Sequence, residues 1–172
     1  LEVSTILQRK DPILLGAPPG KPPHDYSFMK SVMKSAMIQD ALVRVGLRGV
    51  RGVWAPECGG GRSFIVVSMK QAFCGHARQV AGIAALCPGA AYMNRYVVVV
   101  DEDVDYMNLV EVVWALCTRV DPATDIEILR NTQGSKVDPM RREPGPTYNS
   151  RALIVACRPF EWLDEFPEVA DA

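Results

Sequence analysis

Four consecutive valines, Val97–Val100, constrain the fold of this chain more than any other feature of its sequence. A run of β-branched residues without polar alternation is typical of a strand buried on both faces, in a sheet covered by helices on either side. The acidic stretch Asp101–Asp105 ends this strand. A helical pattern and a second strand pattern follow, so residues 96–139 predict a βαβ-like unit.

The helix of this unit has its own start and stop signals. Asn108 can accept hydrogen bonds from the free N–H groups of the first turn, and Glu111 can reach back to close a capping box. Pro122 stops the helix, which we expect to end near Arg119. Its apolar positions predict that most of the helix is covered: Leu109, Val110, Val113, Trp114, Leu116 and Cys117.

A second amphipathic helix is predicted over about 27–46, with Asp25 or Ser27 as its cap. Methionine at helical spacing fills a core more often than it marks a ligand or partner surface. We therefore expect the apolar side of this helix to face the core: Phe28, Met29, Val32, Met33, Ala36, Met37 and Ala41.

Strand patterns at 50–56, 64–69 and 152–156 and a helix pattern at 76–86 complete the predicted elements, with a long loop at 133–149. Strands that alternate with helices predict an α/β fold. We expect a layered sandwich with a largely parallel or mixed sheet flanked by helices.

Composition narrows the possible partners. A length of 172 residues predicts one domain with a substantial core. The formal charge of -1 disfavours nucleic acid as a partner. No apolar run approaches the ~20 residues that span a bilayer, so we expect no membrane partner. The five cysteines are odd in number and lack a CxxC pair, which favours reduced core thiols in the cytoplasm and disfavours structural zinc.

Two groups of residues suggest catalysis or metal binding, and each has a simpler alternative. The carboxylates of Asp101–Asp105 suit a hard cation, but acidic residues also favour the positive N-terminus of the helix that follows. His76 could act as a general base, yet its place at the start of a predicted helix favours a local hydrogen bond. In both cases we favour the structural role.

Three segments of the chain resemble motifs of the UbiD family of decarboxylases and occur in the same order. They are RKDPILLGAPPGKPPHD at 9–25, SFIVVSMKQAFCGHARQ at 63–79, and the unit at 96–139. In the middle segment the match rests on Lys70 and on the run Gly75, His76, Ala77. The resemblance covers residues 1 to about 140.

The resemblance implies a domain arrangement. Residues 1–24 would be a connector that continues from an upstream flavin-binding domain, and residues 25–172 would form a C-terminal α/β domain. The chain enters on EVSTILQR, an alternating segment that predicts a strand. The match weakens after Pro144, because Val155 and Cys157 stand where the family has acidic and hydroxyl residues. This leaves the subfamily and the substrate open.

The resemblance also implies an activity, the non-oxidative and reversible decarboxylation of an aromatic or α,β-unsaturated carboxylic acid by prenylated FMN. An associated divalent metal and potassium would be held mainly by the upstream domain. Expected partners are that upstream portion, the small carboxylic acid and further copies in a homo-oligomer. No position matches the family's catalytic motif, so we name no catalytic residue and expect this chain alone to be inactive. The alternative is a non-catalytic oligomerisation or subunit module that supplies one wall of a partner's active site.

The site residues follow from the same resemblance. Arg119 matches a position near the phosphate and cation end of the flavin site, although an arginine at a helix C-terminus ordinarily binds the last carbonyls. Both roles stay open for it. The pocket for the organic tail of the substrate is expected to involve five residues: Met29, Met93, Asn94, Ser135 and Val137.

Overall fold

The computed structural model describes residues 2–14, 16, 20–24, 26–141 and 143–167. Its elements in chain order are α1 (Ser27–Arg44), β1 (Val50–Trp54), β2 (Phe64–Met69), α2 (His76–Leu86), β3 (Tyr96–Asp101), α3 (Leu109–Thr118), β4 (Ile126–Gln133) and β5 (Tyr148–Ala156). Short 3-10 turns lie at Glu57–Gly59 and Phe160–Trp162. The helices and strands predicted within residues 27–156 are confirmed to within a few residues, although β5 begins earlier than expected.

The five strands form one mixed sheet in the order β1-β2-β3-β5-β4. The three central strands, β2, β3 and β5, are parallel, and both edge strands are antiparallel to their neighbours. This confirms the α/β class, but the predicted βαβ-like unit is wrong in one respect, because β5 lies between β3 and β4. Residues 152–156 are apolar and suit a central position, whereas β4 carries Glu127 and Arg130, which suit an edge.

Helices cover both faces of the sheet. α1 and α2 pack on one face, over a core that includes Val67, Val97 and Val99. α3 packs on the other face, over a core that includes Val66 and Val98. The four valines of β3 are fully buried, which confirms their predicted burial on both faces.

The predicted orientation of α1 is wrong. Its buried residues are Ser27, Ser31, Ser35, Ile38 and Leu42, whereas the apolar positions expected in the core are exposed: Phe28, Met29, Val32, Met33 and Met37. Gly61 lets the loop after β1 approach the backbone of this helix closely, since a Cβ added at Gly61 would be 3.0 Å from the backbone nitrogen of Ser31. The serine hydroxyls satisfy buried polar groups, as Ser35 does with Ala55 N.

The predicted cap of α1 is also different from the observed one. The residue before the helix is Tyr26, which makes no capping hydrogen bond through its side chain. Ser27 is the first helical residue, and its hydroxyl lies within hydrogen-bond distance of two acceptors, His24 O (2.7 Å) and the Glu57 carboxylate. Asp25, the other predicted cap, lies outside the described residues.

α3 confirms its predicted cap but not its predicted coverage. Asn108 Oδ1 accepts a hydrogen bond from Val110 N (3.1 Å). Glu111 reaches back to Asp105 N (2.8 Å) instead of to Asn108 N, so the capping box is modified. Only Val112 and Ala115 are buried in this helix, because no further layer covers its outer side within the described residues; Val110 and Val113 are exposed.

Two further expectations are wrong. Residues 2–9 form no strand and are exposed, although their alternation predicts one. The five cysteines are all free, but only Cys87 and Cys157 are buried, because the other three lie in turns or on outer helical positions. No helix within the described ranges is long and apolar enough to cross a membrane.

Candidate functional site

The carboxyl ends of the three parallel strands meet at one edge of the sheet, which we call the carboxyl edge. In α/β sheets, ligands bind in the crevice outside the carboxyl ends of the strands. Lys70 and Gln71 follow β2, Asp101 ends β3, and Arg158 follows β5. Strand order therefore brings together polar residues that are distant in the sequence.

Asp101 is the centre of the polar contacts at the carboxyl edge, and it is buried. Its Oδ2 accepts hydrogen bonds from Arg119 Nη1 (3.1 Å) and from Arg158 N (2.7 Å) and Nε (3.3 Å). Its Oδ1 accepts from Gln71 Nε2 (3.0 Å), which also donates to Arg158 O (2.8 Å). One carboxylate thus ties the ends of β2, β3 and β5 together.

Arg119 lies buried beneath the acidic turn. Its Nη1 and Nη2 donate to Oδ1 and Oδ2 of Asp103 (2.9 and 2.7 Å), and its guanidinium carbon lies 4.9 Å from the ring centre of Trp114. The hydrogen bonds from Arg119 lower the pKa of Asp103, and the hydrogen bond with Asp103 raises the pKa of Arg119. Both groups are therefore charged at neutral pH, and the Arg119 side chain supports the acidic turn from within.

The other carboxylates of the acidic turn also have partners. Glu102 lies 2.8 Å from Arg51 Nη2 and 3.6 Å from Lys70 Nζ. The hydrogen bond from Arg51 lowers the pKa of Glu102. Asp105 Oδ1 accepts from Met107 N (2.9 Å) at the approach to α3. Each acidic side chain of the turn therefore has a partner within the domain, and for Asp101, Glu102 and Asp103 the partners are mainly cationic side chains rather than the helix N-terminus that the sequence analysis favoured.

Two open clefts adjoin this cluster and share Gln71 and Arg158. A cleft of about 150 Å³ is lined by Met69, Lys70, Gln71, Asp101, Glu102, Arg158 and Leu163. A cleft of about 360 Å³ lies between the start of α2 and the segment after β5, with Cys74, Arg78, Phe160 and Glu161 in its lining. Lys70 and Arg158 place two cations at this surface, so the edge can bind an anionic group.

His76 and Cys74 lie beside the larger cleft. His76 is buried, its Nδ1 accepts from Ala72 N (3.2 Å), and its ring stacks on Phe73 at 4.3 Å. Burial lowers the pKa of His76, so the ring is neutral, and the predicted local role is confirmed. Cys74 Sγ donates to Glu161 Oε1 (2.7 Å), and this hydrogen bond raises the pKa of Cys74, which keeps it a thiol.

Four of the five residues expected around the substrate tail lie at the opposite, amino-terminal edge of the sheet, which we call the amino edge. Met93 and Asn94 precede β3, and Ser135 and Val137 follow β4. The Ser135 hydroxyl hydrogen-bonds the Tyr92 hydroxyl and accepts from Val137 N (3.2 Å). The two loops that hold these residues are therefore in contact.

The burial of these residues differs. Asn94 and Ser135 are buried, whereas Val137 is exposed. The Asn94 side-chain amide has no partner among the described residues, and Met93 has a positive φ of 67°. Met29 is half exposed, and the start of α1 lies near the same edge, because the Phe28 ring is 6.5 Å from the ring of Trp54 at the end of β1. A six-residue strand is roughly 17 Å long, so Arg119 and these five residues do not meet within this chain.

The sequence reasoning missed Gln71, Arg158 and the Cys74–Glu161 contact. Gln71 has a detectable signal, since it follows Lys70 at the end of a predicted strand. Arg158 lies where the family resemblance is weakest. Its role depends on β5 lying beside β3, which local patterns do not determine.

Comparison with protein families and solved structures gives consistent results. The family model of the 3-octaprenyl-4-hydroxybenzoate carboxy-lyase C-terminal domain (UbiD) matches residues 27–156. Among solved structures, vanillic acid decarboxylase from Sedimentibacter hydroxybenzoicus is 28% identical, with a TM-score of 0.72 over 88% of this chain and 31% of that chain.

Two further enzymes share the fold. The 3,4-dihydroxybenzoic acid decarboxylase from Enterobacter cloacae is 21% identical, with a TM-score of 0.75 over 85% of this chain and 31% of that one. A UbiD-class enzyme from Pelotomaculum thermopropionicum in complex with FMN is 22% identical, with a TM-score of 0.75 over 85% of this chain and 32% of that one. The chain spans about a third of the length of each of these enzymes.

Proposed function

The chain belongs to the UbiD family, whose C-terminal domain it matches, and from this premise we propose that it is the C-terminal part of a non-oxidative, reversible carboxy-lyase. The proposed substrates are aromatic or α,β-unsaturated carboxylic acids, and the proposed cofactor is prenylated FMN. The observation that carries the proposal is the polar carboxyl edge, where two cations adjoin open clefts in a domain of this family.

The residues at the carboxyl edge fit one wall of a flavin site. Clefts of about 150 and 360 Å³ are open and too small to enclose a flavin mononucleotide, because pockets that bury ligands of this size reach several hundred Å³ and more. A second wall must come from the flavin-binding portion of the enzyme, which would also hold the divalent metal and potassium. When bound, prenylated FMN supplies the electron sink for the loss of CO2.

The chain's own residues would bind an anionic group at this wall and hold it in position. Lys70 is mostly exposed and can approach an anionic group directly. Arg158 is partly exposed and held in place by Asp101. Arg119 remains our proposed cofactor-end residue, but its guanidinium nitrogens donate to Asp101 and Asp103, so it would act by holding the acidic turn in position.

The substrate-tail residues remain part of the proposal. Met29, Met93, Asn94, Ser135 and Val137 lie near the amino edge, so a second copy or another portion of the enzyme would have to present the tail there. Ser135→Ala tests this assignment, because it removes a hydroxyl from a buried position without adding bulk. A change in the kcat/KM ratio between a short and a long acid supports a tail contact, and an equal effect on both acids contradicts it.

The decisive experiment compares the 172-residue chain with the enzyme in its natural form. We expect the intact mass of the natural enzyme to include a flavin-binding portion, and we expect decarboxylation only when that portion is present. In the active enzyme, Lys70→Ala should lower activity, whereas Arg44→Ala at the exposed end of α1 should not. A flavin-containing, active preparation whose mass equals this chain would refute the proposed division of roles.

The alternative function is a non-catalytic module that builds oligomer contacts. The outward-facing apolar side of α1 favours this alternative, because a contiguous patch of exposed apolar side chains is typical of an interaction site. The proposed homo-oligomer uses the same observation. Analytical ultracentrifugation of the chain measures its assembly, and an assembled protein whose natural form never takes up flavin would support the module over the enzyme.

A further inference from the structure

The loop from Lys70 to Gly75 joins β2 to α2 at the carboxyl edge of the sheet. Its first two residues, Lys70 and Gln71, line the open clefts described above. The residues from Ala72 to Gly75 are exposed, so burial in the core does not hold this part of the loop. Polar contacts must therefore fix its backbone if Lys70 and Gln71 are to keep a set position.

The first two residues of the loop are each held by a different part of the sheet. Lys70 N donates a hydrogen bond to Gly49 O (2.8 Å), directly before β1. The Gln71 side chain donates to Asp101 at the end of β3 and to Arg158 O after β5. These contacts hold the loop on the side of β2 and leave its connection to α2 to a third contact.

His76 provides that third contact from the first turn of α2. Its Nδ1 accepts a hydrogen bond from Ala72 N (3.2 Å), and its ring stacks on Phe73 at 4.3 Å. The side chain is 2% exposed, and a Cβ added at Gly49 would lie 3.6 Å from its Cε1. A ring that is itself fixed by packing thus holds the exposed half of the loop.

The hydrogen bond from Ala72 requires a neutral His76 ring. Nδ1 can accept a hydrogen bond only when the ring proton is on Nε2, whereas an imidazolium carries a proton on both nitrogens. Burial lowers the pKa of His76 and so favours the neutral form. The contact is therefore present above the folded-state pKa and is lost as pH falls through it.

The charged and titratable groups on the segments around the ring have other partners or are cations. They are Arg48 and Arg51 beside Gly49, Lys70, Cys74 and Arg78 on the segment of His76 itself, and Glu161 after β5. Glu161 accepts from Cys74, and Glu102 pairs with Arg51 and Lys70. Within the described residues, these carboxylates do not stabilise a charged His76.

We propose that His76 is a positioning residue of the candidate site: as a neutral acceptor, it fixes the loop that presents Lys70 and Gln71 at the carboxyl edge. The value of this position to the enzyme rests on the proposed function of Lys70, whereas the effect of His76 on the loop does not. Because Ala72 is exposed, water can replace the ring as acceptor of its N–H group. Loss of the acceptor therefore loosens the loop more than it destabilises the domain.

Two substitutions separate the acceptor from the packing of the ring. His76→Asn keeps an acceptor, Oδ1, at the branch that Nδ1 occupies, and its side chain does not titrate. His76→Leu keeps a branched apolar side chain in the buried position and removes the acceptor. Both variants lack the aromatic ring, so a difference between them reports on the acceptor.

Hydrogen exchange of the Ala72 amide, followed by NMR on the 172-residue chain, measures the loop directly. At pH 7, the protection factor of this amide should be about fivefold higher in the wild type and in His76→Asn than in His76→Leu, as expected for one hydrogen bond. Below the ordinary histidine pKa of about 6.5, protection in the wild type should fall toward that of His76→Leu, whereas His76→Asn should stay constant. The Val98 amide in β3 should remain protected throughout, which shows that the sheet stays folded.

The complete enzyme provides a second readout. At pH 7, His76→Leu should lower kcat/KM by about fivefold, in proportion to the loosened loop, and His76→Asn should restore most of it. As the pH decreases below about 6.5, the ratio of kcat/KM of the wild type to that of His76→Asn should fall, because only the wild type loses its acceptor.

Four outcomes contradict one of the two hypotheses. Equal protection of Ala72 in all three forms at pH 7, or protection in the wild type that does not change with pH, overturns the positioning role whatever the activity. Equal loss in both variants also overturns it, because the ring and not the acceptor then holds the loop. Loss of Val98 protection in His76→Leu overturns it in favour of a structural role. The expected pattern at Ala72 together with unchanged kcat/KM supports the positioning of the loop and refutes the proposed function of Lys70.

Discussion

Ser35 supports a prediction that tests the unexpected orientation of α1. Its hydroxyl donates to Ser31 O (2.7 Å) and accepts from Ala55 N (2.9 Å), directly after β1. Both Ser35 and Ala55 are buried. Ser35→Ala therefore leaves a buried N–H group without its acceptor and removes the polar link between α1 and the sheet.

The expected cost follows from these contacts. An orphaned buried N–H destabilises the folded state by about 1–3 kcal/mol, and the better helix propensity of alanine offsets about 0.5 kcal/mol. The net loss is about 0.5–2.5 kcal/mol. For a chain of this size each kcal/mol lowers Tm by about 2–4 °C, so Tm should fall by roughly 1–10 °C.

The same helix supplies a matched control. Ser31 is also buried, but its hydroxyl only donates to Ser27 O (3.1 Å), within the helix. Ser31→Ala should therefore remain within about 0.5 kcal/mol of the wild type. Urea titration followed by circular dichroism measures both variants. Equal losses for Ser31→Ala and Ser35→Ala would refute the argument that the link to Ala55 carries the effect.

Three further predictions concern the turn, the cap and the edge strand. Asn108→Ala should destabilise the domain by about 0.5–2 kcal/mol through loss of the α3 cap, and an unchanged urea midpoint would contradict this. Gly52→Ala should lower Tm, because the Tyr106 ring occupies the space of the added Cβ; thermal melting of Gly52→Ala beside Gly82→Ala, where that space is free, checks this. Arg119 holds the pKa of Asp103 below its unfolded value of about 3.9, so this carboxylate stabilises the fold above that pH and loses its effect as pH falls through the folded-state pKa. Asp103→Asn should thus flatten the decline of Tm below about pH 4, and an unchanged slope would show that the pair does not contribute.

The elements that could be predicted are those with local signals. β2, α2 and the α3 cap depend on residue type at fixed spacing, such as Gly75 before α2 and Asn108 before α3. Strand order has no such signal, because the neighbour of β3 is chosen by long-range packing. The contacts of Asp101 with Gln71 and Arg158 depend on that order, which is why the centre of the candidate site could not be derived from spacing alone.

The orientation of α1 shows a different limit of sequence reasoning. Periodicity identifies the apolar side of a helix, and burial of that side is the default inference. In α1 the opposite side is buried, because its serine hydroxyls bond to groups that would otherwise be orphaned, as Ser35 does with Ala55. Burial of a serine side leaves the apolar side free for contact with something outside the described residues. An apolar side paired with a row of small polar residues therefore predicts an interface as well as a core, and the choice between them requires the tertiary structure.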